Sequence, residues 1–304
     1  MQHFRQASGM STPAPRAADW AQLTLLGAIW GASFLSVSLA LDGFSPLWVA
    51  AGRILIAALA LAALALALRL PLRVSRGVWL HALGMAAFTN ALPFFGIAWA
   101  QQQVASSFVG IAMAMVPLFT LLLSRVALAG ERLTLPRLAG VALGLAGVVV
   151  LIGPAALAAP EAAGSLVARI VVLGTTLSYA VGSIVTRRSP PVNAVVFAAL
   201  ALGLAAVMLV PVALLVEGLP ALPALQPVLA LAYLGLFPTA FATLLLVRLI
   251  TRVGPTFLSL TNFQVPLWSV AFGTLILSEP LPPQFLAALG LILAGLAVSR
   301  WARR

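Results

Sequence analysis

The sequence is short of the side chains that carry most enzyme chemistry. It has no cysteine and no lysine, two histidines and six carboxylates among its 304 residues. The absence of cysteine excludes disulfides, thiol chemistry and thiolate metal sites. We expect no cofactor, no metal and no enzymatic activity, because an intramembrane enzyme such as a lipid-modifying transferase would need a cluster of acids or histidines that the chain lacks.

Apolar residues dominate instead. Hydrophobic residues make up 62% of the chain and charged residues 8%, against roughly 25% charged in soluble proteins. Apolar runs of about 20 residues, long enough to cross a bilayer, recur along nearly the whole chain. The sequence predicts an all-α multi-pass membrane protein with ten transmembrane helices, preceded by a polar, disordered cytoplasmic tail at 1–19. The expected spans are 20–40, 47–68, 78–98, 103–124, 135–152, 166–186, 193–215, 226–247, 255–277 and 284–301.

The arginines predict the orientation of these spans. With the N-terminus in the cytoplasm, 15 of the 17 arginines fall in cytoplasmic segments, whereas Asp42, Glu161, Glu217 and Glu279 fall on the opposite side. This asymmetry follows the positive-inside rule and places both termini in the cytoplasm. The net charge of +11 therefore reports orientation in a lipid bilayer. Because the charge is spread over short segments, we expect no nucleic-acid partner.

The two halves of the chain resemble each other. Identical residues recur 149 positions later at Val104, Phe108, Val116 and Pro117. We infer two five-helix repeats, 20–152 and 166–301, joined by a periplasmic linker at 153–165. Because five is odd, the second repeat crosses the membrane in the opposite direction. Such inverted repeats are typical of secondary transporters, whose two halves move around a site near the middle of the membrane.

Several stretches resemble a known family. They are a Trp-Gly-small turn in "LLGAIWGASF" (25–34), an arginine in "AGRILIAALAL" (51–61), and a proline followed by a membrane-edge glutamate in both 106–133 and 265–281. The combination resembles the EamA-domain proteins of the drug/metabolite transporter superfamily over residues 20 to 301. Within that family it is most similar to the YddG-type aromatic amino-acid exporters. The resemblance implies ten helices in a bacterial inner membrane and the export of small metabolites.

Polar residues on apolar helices predict a substrate cavity. In the third, fourth and ninth spans, aromatic, amide and thioether side chains recur at steps of three or four residues and so share one helix face. An amide in hydrocarbon is costly unless it faces a partner or water, so Asn90 and Gln264 orient these faces inward. Such a wall suits an aromatic or branched amino acid, although helix–helix packing explains the same pattern. The candidates are Asn90, Phe94, Gln101, Phe108, Met115, Phe119, Phe257, Thr261, Gln264 and Trp268, with Trp30, Ser33, Tyr179 and Ser183 from the first and sixth spans.

Prolines and small residues mark further positions. Prolines within the spans are Pro93, Pro117, Pro238 and Pro266. A proline frees a backbone carbonyl and kinks the helix, which membrane helices tolerate beside a cavity. We predict gating or cavity lining there, with a simple packing kink as the alternative. A GxxxG motif at Gly140 and Gly144, echoed at Gly290 and Ala294, predicts close packing against neighbouring helices or self-association.

One arginine, Arg53, lies inside an apolar span, about 9 Å from its outer end at 1.5 Å per residue. It either extends to the periplasmic headgroups or Asp42, or supplies a vestibule charge or a bidentate contact to a substrate carboxylate. None of the six carboxylates lies mid-span, and Glu131 and Glu279 suit helix caps better than proton carriers. We therefore expect an uncoupled exporter that works by alternating access. A proton-coupled drug or organic-cation exporter is the alternative.

Overall fold

The computed structural model describes residues 14–127, 134–153 and 163–301, and the regular structure within these ranges is helical. Residues 1–13 of the predicted tail, Glu131 and residues 154–162 of the predicted linker lie outside the described residues. The helices of the first half are α1 (Ala17–Leu41), α2 (Pro46–Ala67), α3 (Arg76–Met85), α4 (Leu92–Ala100), α5 (Ser106–Met113), α6 (Val116–Ala127) and α7 (Leu135–Ile152). Those of the second half are α8 (Ala163–Arg188), α9 (Ala194–Glu217), α10 (Leu225–Gly235), α11 (Ala242–Leu258), α12 (Thr261–Ile276) and α13 (Pro283–Trp301).

Two π-helical segments complete the architecture. The first π segment, Ala86–Ala91, joins α3 to α4, and the second, Leu236–Phe241, joins α10 to α11. In the described ranges, eight continuous helical stretches are long and apolar enough to cross a membrane, and Pro283–Ser299 is a shorter apolar helix. Large apolar side chains such as Leu80 and Val207 are exposed, as expected where the surface meets lipid.

Capping residues set where the helices begin. Ser45 accepts a hydrogen bond from the Trp48 amide at 3.2 Å, and Pro46 occupies the first position of α2, where a missing N–H costs nothing. Asp19 accepts from the Arg16 amide at 2.8 Å and lies 3.2 Å from Nε of Arg252 on α11. The predicted tail, 1–19, therefore extends too far along the chain, because α1 begins at Ala17 and the Asp19 side chain is buried.

Four predicted spans are not continuous α-helices. The third and eighth each contain a π segment, and the fourth is interrupted between α5 and α6. Pro117 lies at the second position of α6, where proline is tolerated. The predicted ninth span, 255–277, is interrupted between α11 and α12, whereas Pro266 lies inside α12. Within α11, Gly254 has φ 84° and ψ 166°, a conformation that favours glycine.

The GxxxG motif is used inside the chain. A Cβ atom on Gly140 would lie 2.5 Å from the carbonyl oxygen of Gly295 on α13, and one on Gly295 would lie 2.8 Å from the amide of Gly144. The backbones of α7 and α13 are therefore in direct contact, so the predicted close packing against a neighbouring helix is confirmed at Gly140 and Gly144, whereas self-association through them is not shown. Gly290 has open space beside it and Ala294 is exposed. Self-association through this second pair stays a prediction.

Candidate functional site

Arg53 lies on α2 with its guanidinium buried inside the protein, only 7% exposed. Its Nε donates to Thr239 Oγ1 at 2.9 Å, and its Nη1 donates to Ser33 Oγ at 3.2 Å. The guanidinium carbon lies 3.8 Å from the centre of the Phe94 ring. These four residues, from α1, α2, α4 and the second π segment, form the Arg53 cluster. The interpretation that Arg53 extends to the headgroups or Asp42 is wrong.

The Arg53 cluster keeps a charge inside the membrane-embedded part of the protein without a carboxylate partner among the described residues. A charged side chain at the centre of a membrane helix costs about 2.5–3.5 kcal/mol. A desolvated cation–π contact returns about 2 kcal/mol, and each hydrogen bond to a charged group about 1.5–3 kcal/mol. The contacts can therefore offset the cost, and they tie the first half of the chain to the second.

The two π segments carry equivalent polar side chains. Asn90 Nδ2 donates to Met85 O at 3.3 Å, and Thr239 Oγ1 donates to Leu234 O at 2.8 Å. Each side chain thus bonds the carbonyl five residues before it, and the two are 149 positions apart, the interval of the sequence repeat. Short π-helical segments occur frequently at functional sites. Sequence reasoning missed Thr239, although its position 149 residues after Asn90 was an available signal.

Aromatic residues surround the second π segment. Trp30 Nε1 donates to Pro238 O at 3.2 Å, so the structure brings together two residues that were predicted separately, Trp30 for the cavity and Pro238 for a kink. Tyr233, which sequence reasoning missed, donates to Ile29 O at 3.4 Å and stacks on Phe237 with ring centres 5.2 Å apart. The predicted residue Tyr179 is half-buried and packs against core residues of both halves. The side chain contacts around Arg53 therefore lie where the two halves meet.

An open cavity of about 340 Å³ lies at a second place between the halves. We call it the interhelix cavity. Seven of its twelve lining residues are polar. These seven come from α6, α8, the turn between α11 and α12, α12, and α13. The lining residues are Val116, Pro117, Thr120, Leu121, Ser124, Ser183, Arg187, Pro255, Ser259, Asn262, Leu296 and Ser299. Two of the predicted residues, Pro117 and Ser183, line the interhelix cavity. Arg53 does not line it.

The predicted faces of the third and fourth spans point inward, but they contact protein in this structure. Phe108 and Met115 are fully buried in the core, and Phe119 packs half-buried against it. Asn90 is buried beside its own helix, and Gln101 Nε2 donates to Phe34 O at 2.9 Å. Pro93 is buried directly after the first π segment. Whether these residues meet a substrate in another conformation stays a prediction.

The predicted face of the ninth span divides into two parts. Phe257 packs edge-on against Trp20 with ring centres 4.8 Å apart, and Thr261 Oγ1 donates to Leu258 O at 2.7 Å. Gln264 and Trp268 instead border a recess of about 370 Å³ against α1, with Thr24, Leu267 and Ala271. This recess is separate from the interhelix cavity. Substrate contacts of Gln264 and Trp268 stay a prediction.

Glu279 caps a helix of the other half. Its Oε1 accepts from the Ser106 amide at 2.7 Å and its Oε2 from the Ser107 amide at 3.1 Å. These amides begin α5, where backbone N–H groups lack helical partners and the helix dipole favours an anion. The prediction that Glu279 is a cap is confirmed.

Glu279→Gln is expected to lower the free energy of unfolding by about 1 kcal/mol, because the amide keeps an acceptor but loses the charge. The measurement is the melting temperature of the purified protein in detergent. The matched control is Asp42→Asn, which removes the same charge from an exposed position. Equal melting temperatures for the two variants would show that the cap contributes nothing.

The chain resembles known transporters along most of its length. The model of the EamA-like transporter family matches residues 20–153 and again 166–301. The "uncharacterized inner membrane transporter YedA" of Escherichia coli strain K12 is 31% identical over 275 residues, covering 89% of this chain and 86% of that protein. An S-adenosylmethionine/S-adenosylhomocysteine transporter of Chlamydia trachomatis serovar L2 is 29% identical over 285 residues, covering 88% of this chain and 84% of that protein. Neither relative is named as an aromatic amino-acid exporter.

The fold of the chain is also similar to that of a solved structure. A solved crystal structure superposes with a TM-score of 0.66 at 25% sequence identity, covering 95% of this chain and all of that chain. The apolar helices and the inner-membrane relative together make this a multi-pass inner-membrane protein with a small-molecule substrate. The chain belongs to the EamA-like transporter family.

Proposed function

We propose that this protein exports amino acids with aromatic or other apolar side chains, and related small metabolites, across the inner membrane by alternating access. The single observation that carries the proposal is the interhelix cavity, which has walls from α6 in the first half and from α8, α12 and α13 in the second. Alternating access requires a binding site at the interface of two repeats. A cavity between the halves supports that requirement.

The proposal includes ten transmembrane helices in two inverted repeats, 20–152 and 166–301, with a periplasmic linker at 153–165 and both termini in the cytoplasm. The spacing of the helices supports this duplication. The helix α3 begins at residue 76 and α10 at 225, and the π segments begin at 86 and 236. These intervals are close to the 149 residues of the sequence repeat. The one-sided distribution of arginine supports the orientation.

The substrate class draws on the relatives and on the cavity. One relative is named as a transporter of S-adenosylmethionine, a molecule that contains an α-amino acid group. The cavity volume of about 340 Å³ falls within the range of about 300–1,000 Å³ that small-molecule sites occupy. Its mixture of hydroxyl and aliphatic side chains suits a solute with a polar head and an apolar side chain.

We propose uncoupled export because no carboxylate lines the cavity within the described part of the chain. A proton-coupled exporter uses an ionisable group inside the membrane, and an organic-cation exporter needs an acid to bind its substrate. Glu279 is engaged as a helix cap. A zwitterionic amino acid carries no net charge, so its gradient alone can drive facilitated export.

Counterflow in proteoliposomes tests this function. Vesicles that contain the purified protein and unlabelled phenylalanine should accumulate labelled phenylalanine from outside, whereas protein-free vesicles should not. An imposed pH gradient should leave the initial rate unchanged, because no proton moves with the substrate. Accumulation driven by the pH gradient alone would contradict uncoupled export. No counterflow with phenylalanine, leucine or methionine would contradict amino-acid export.

A further inference from the structure

The two halves of the chain are in close contact where α12 passes α5. The Ser269 hydroxyl on α12 donates to Ser106 O at 3.1 Å, and a Cβ atom on Gly110 of α5 would overlap the Ser269 side chain. A Cβ atom on Gly273 would lie 3.0 Å from Ser106 Oγ. Glu279 caps the same end of α5. We call these five residues the α5–α12 contact.

The interhelix cavity lies where the sequence repeat places a second copy of this contact. Four of the five residues have equivalents 149 positions away, which are Pro255 for Ser106, Ser259 for Gly110, Thr120 for Ser269 and Ser124 for Gly273. All four equivalents line the interhelix cavity. The Thr120 hydroxyl bonds its own helix, to Val116 O at 2.8 Å, whereas Ser269 bonds the other half. The same pair of surfaces is therefore closed at one place and open at the other, as alternating access between two inverted repeats requires.

The α5–α12 contact combines groups that hold it closed with groups that favour opening. The Glu279 carboxylate holds it closed through the Ser106 and Ser107 amides. The hydroxyls of the same two serines, however, are buried without a hydrogen-bond partner anywhere in 14–127, 134–153 or 163–301. A buried polar group without a partner costs free energy, which exposure to water returns. A permanent core contact satisfies its polar groups, so this balance suits a contact that opens and closes.

We propose that the α5–α12 contact is a gate that closes one side of the transport pathway, and that the four equivalent residues of the cavity wall close the other side when this gate opens. This assignment rests on the alternating access of the proposed function and names the residues that carry it out. Glu279 is a positioning residue of the gate, because it holds α5 and does not line the cavity.

The two sides do not close in the same way. Pro255 has no N–H group that a carboxylate could bind, unlike its equivalent Ser106. Ser259 carries a side chain where Gly110 has none, and a Cβ atom at Gly110 already overlaps α12. We therefore expect the helices to stay further apart on the cavity side when that side closes.

Cysteine labelling tests the gate, because the chain has no cysteine of its own. Ser269→Cys places a thiol in the α5–α12 contact, where Ser269 is 1% exposed. Thr120→Cys places a thiol at the equivalent position in the cavity wall. The measurement is the rate at which each purified variant reacts with a small water-soluble methanethiosulfonate. Thr120→Cys should react at least about tenfold faster than Ser269→Cys, because a minor conformation is populated to about 10% or less.

Gly110→Ser should change the two labelling rates in opposite directions. The new side chain overlaps the Cβ atom of residue 269, which cysteine retains, so the gate cannot close. We expect the Ser269→Cys rate to rise by about tenfold or more and the Thr120→Cys rate to fall, since the molecules that open one side close the other. Unfolding would raise both rates. The matched control is Gly174→Ser, which should leave both rates unchanged because nothing lies within 4 Å of a Cβ atom at Gly174.

Glu279→Gln is a milder second variant, which decides the matter if Gly110→Ser does not fold. Weakening the cap should raise the Ser269→Cys rate by about fivefold and should not raise the Thr120→Cys rate. A Ser269→Cys rate that is the same in Glu279→Gln, Gly110→Ser and Gly174→Ser would overturn the gate. A Thr120→Cys rate that rises together with it in a folded variant would also overturn the gate.

The gate and the proposed function fail separately, because labelling needs no substrate. If labelling contradicts the gate while phenylalanine counterflow persists, amino-acid export stands and the gate assignment is wrong. If the labelling rates change in opposite directions but no amino acid shows counterflow, the gate stands and amino-acid export is wrong.

Discussion

Arg53→Met reduces transport by about tenfold or more and leaves the protein folded: this is the expected result with the clearest physical basis. The guanidinium joins α2 of the first half to Thr239 in the second π segment. Losing one hydrogen bond to a charged group changes the free-energy difference between two conformations by about 1.5–3 kcal/mol, which is tenfold or more in their populations. Methionine fills similar volume, and the substitution also removes the cost of keeping a charged side chain inside a membrane helix.

The matched control is Leu202→Met, because Leu202 lies 149 residues after Arg53 and is equally buried. It should change neither the initial rate of phenylalanine counterflow nor the melting temperature. Saturating phenylalanine should still bind to Arg53→Met, because the arginine lies outside the cavity wall. Transport by Arg53→Met at the rate of Leu202→Met would show that the contact between the halves is dispensable.

Gly140→Ala should destabilise the protein by about 3 kcal/mol, the upper part of the usual cost of overpacking. The added Cβ would lie 2.5 Å from Gly295 O and 2.8 Å from the Ser299 amide nitrogen. Both are backbone atoms, so the contact is relieved only if α7 and α13 separate along their length. The measurement is the melting temperature of purified protein together with the monodisperse fraction after extraction from the membrane.

Gly290→Ala is the control on the facing helix. Nothing lies within 4 Å of a Cβ at Gly290, and alanine is the better helix former by about 1 kcal/mol. The control should therefore melt at the same temperature or slightly higher. If Gly140→Ala melted like the control, the close backbone contact between α7 and α13 would not contribute to stability.

The bounds of several helices could be predicted because apolar length and capping residues are local properties. The predicted span 135–152 coincides with α7, and the predicted first span differs from α1 by three residues at its start and one at its end. The inward face of the third span could also be predicted, since a costly amide at Asn90 fixes its direction. All of these features follow from residues within one or two helical turns of each other.

The π segments and the cavity could not be predicted in the same way. A π turn changes the spacing of residues but not their hydrophobicity, so a search at 3.6 residues per turn passes over it. The hydroxyls of Thr120 and Ser299 give no signal either, because a hydroxyl that bonds its own helix is tolerated in an apolar span. Whether such a hydroxyl faces a cavity depends on how α6 and α13 pack, which is a property of the tertiary structure.

The Arg53 cluster makes the two repeats of the chain different, because the second repeat has no arginine at the equivalent position. Leu202 occupies the position equivalent to Arg53 and belongs to one apolar cluster with Ala86 and Ala91 of the first π segment, whereas Arg53 hydrogen-bonds Thr239 of the second π segment. A change in the second π segment would alter the distance between Arg53 and Thr239, whereas Asn90 of the first π segment bonds its own helix. We therefore expect the two steps of the proposed alternating-access cycle to have different energy barriers.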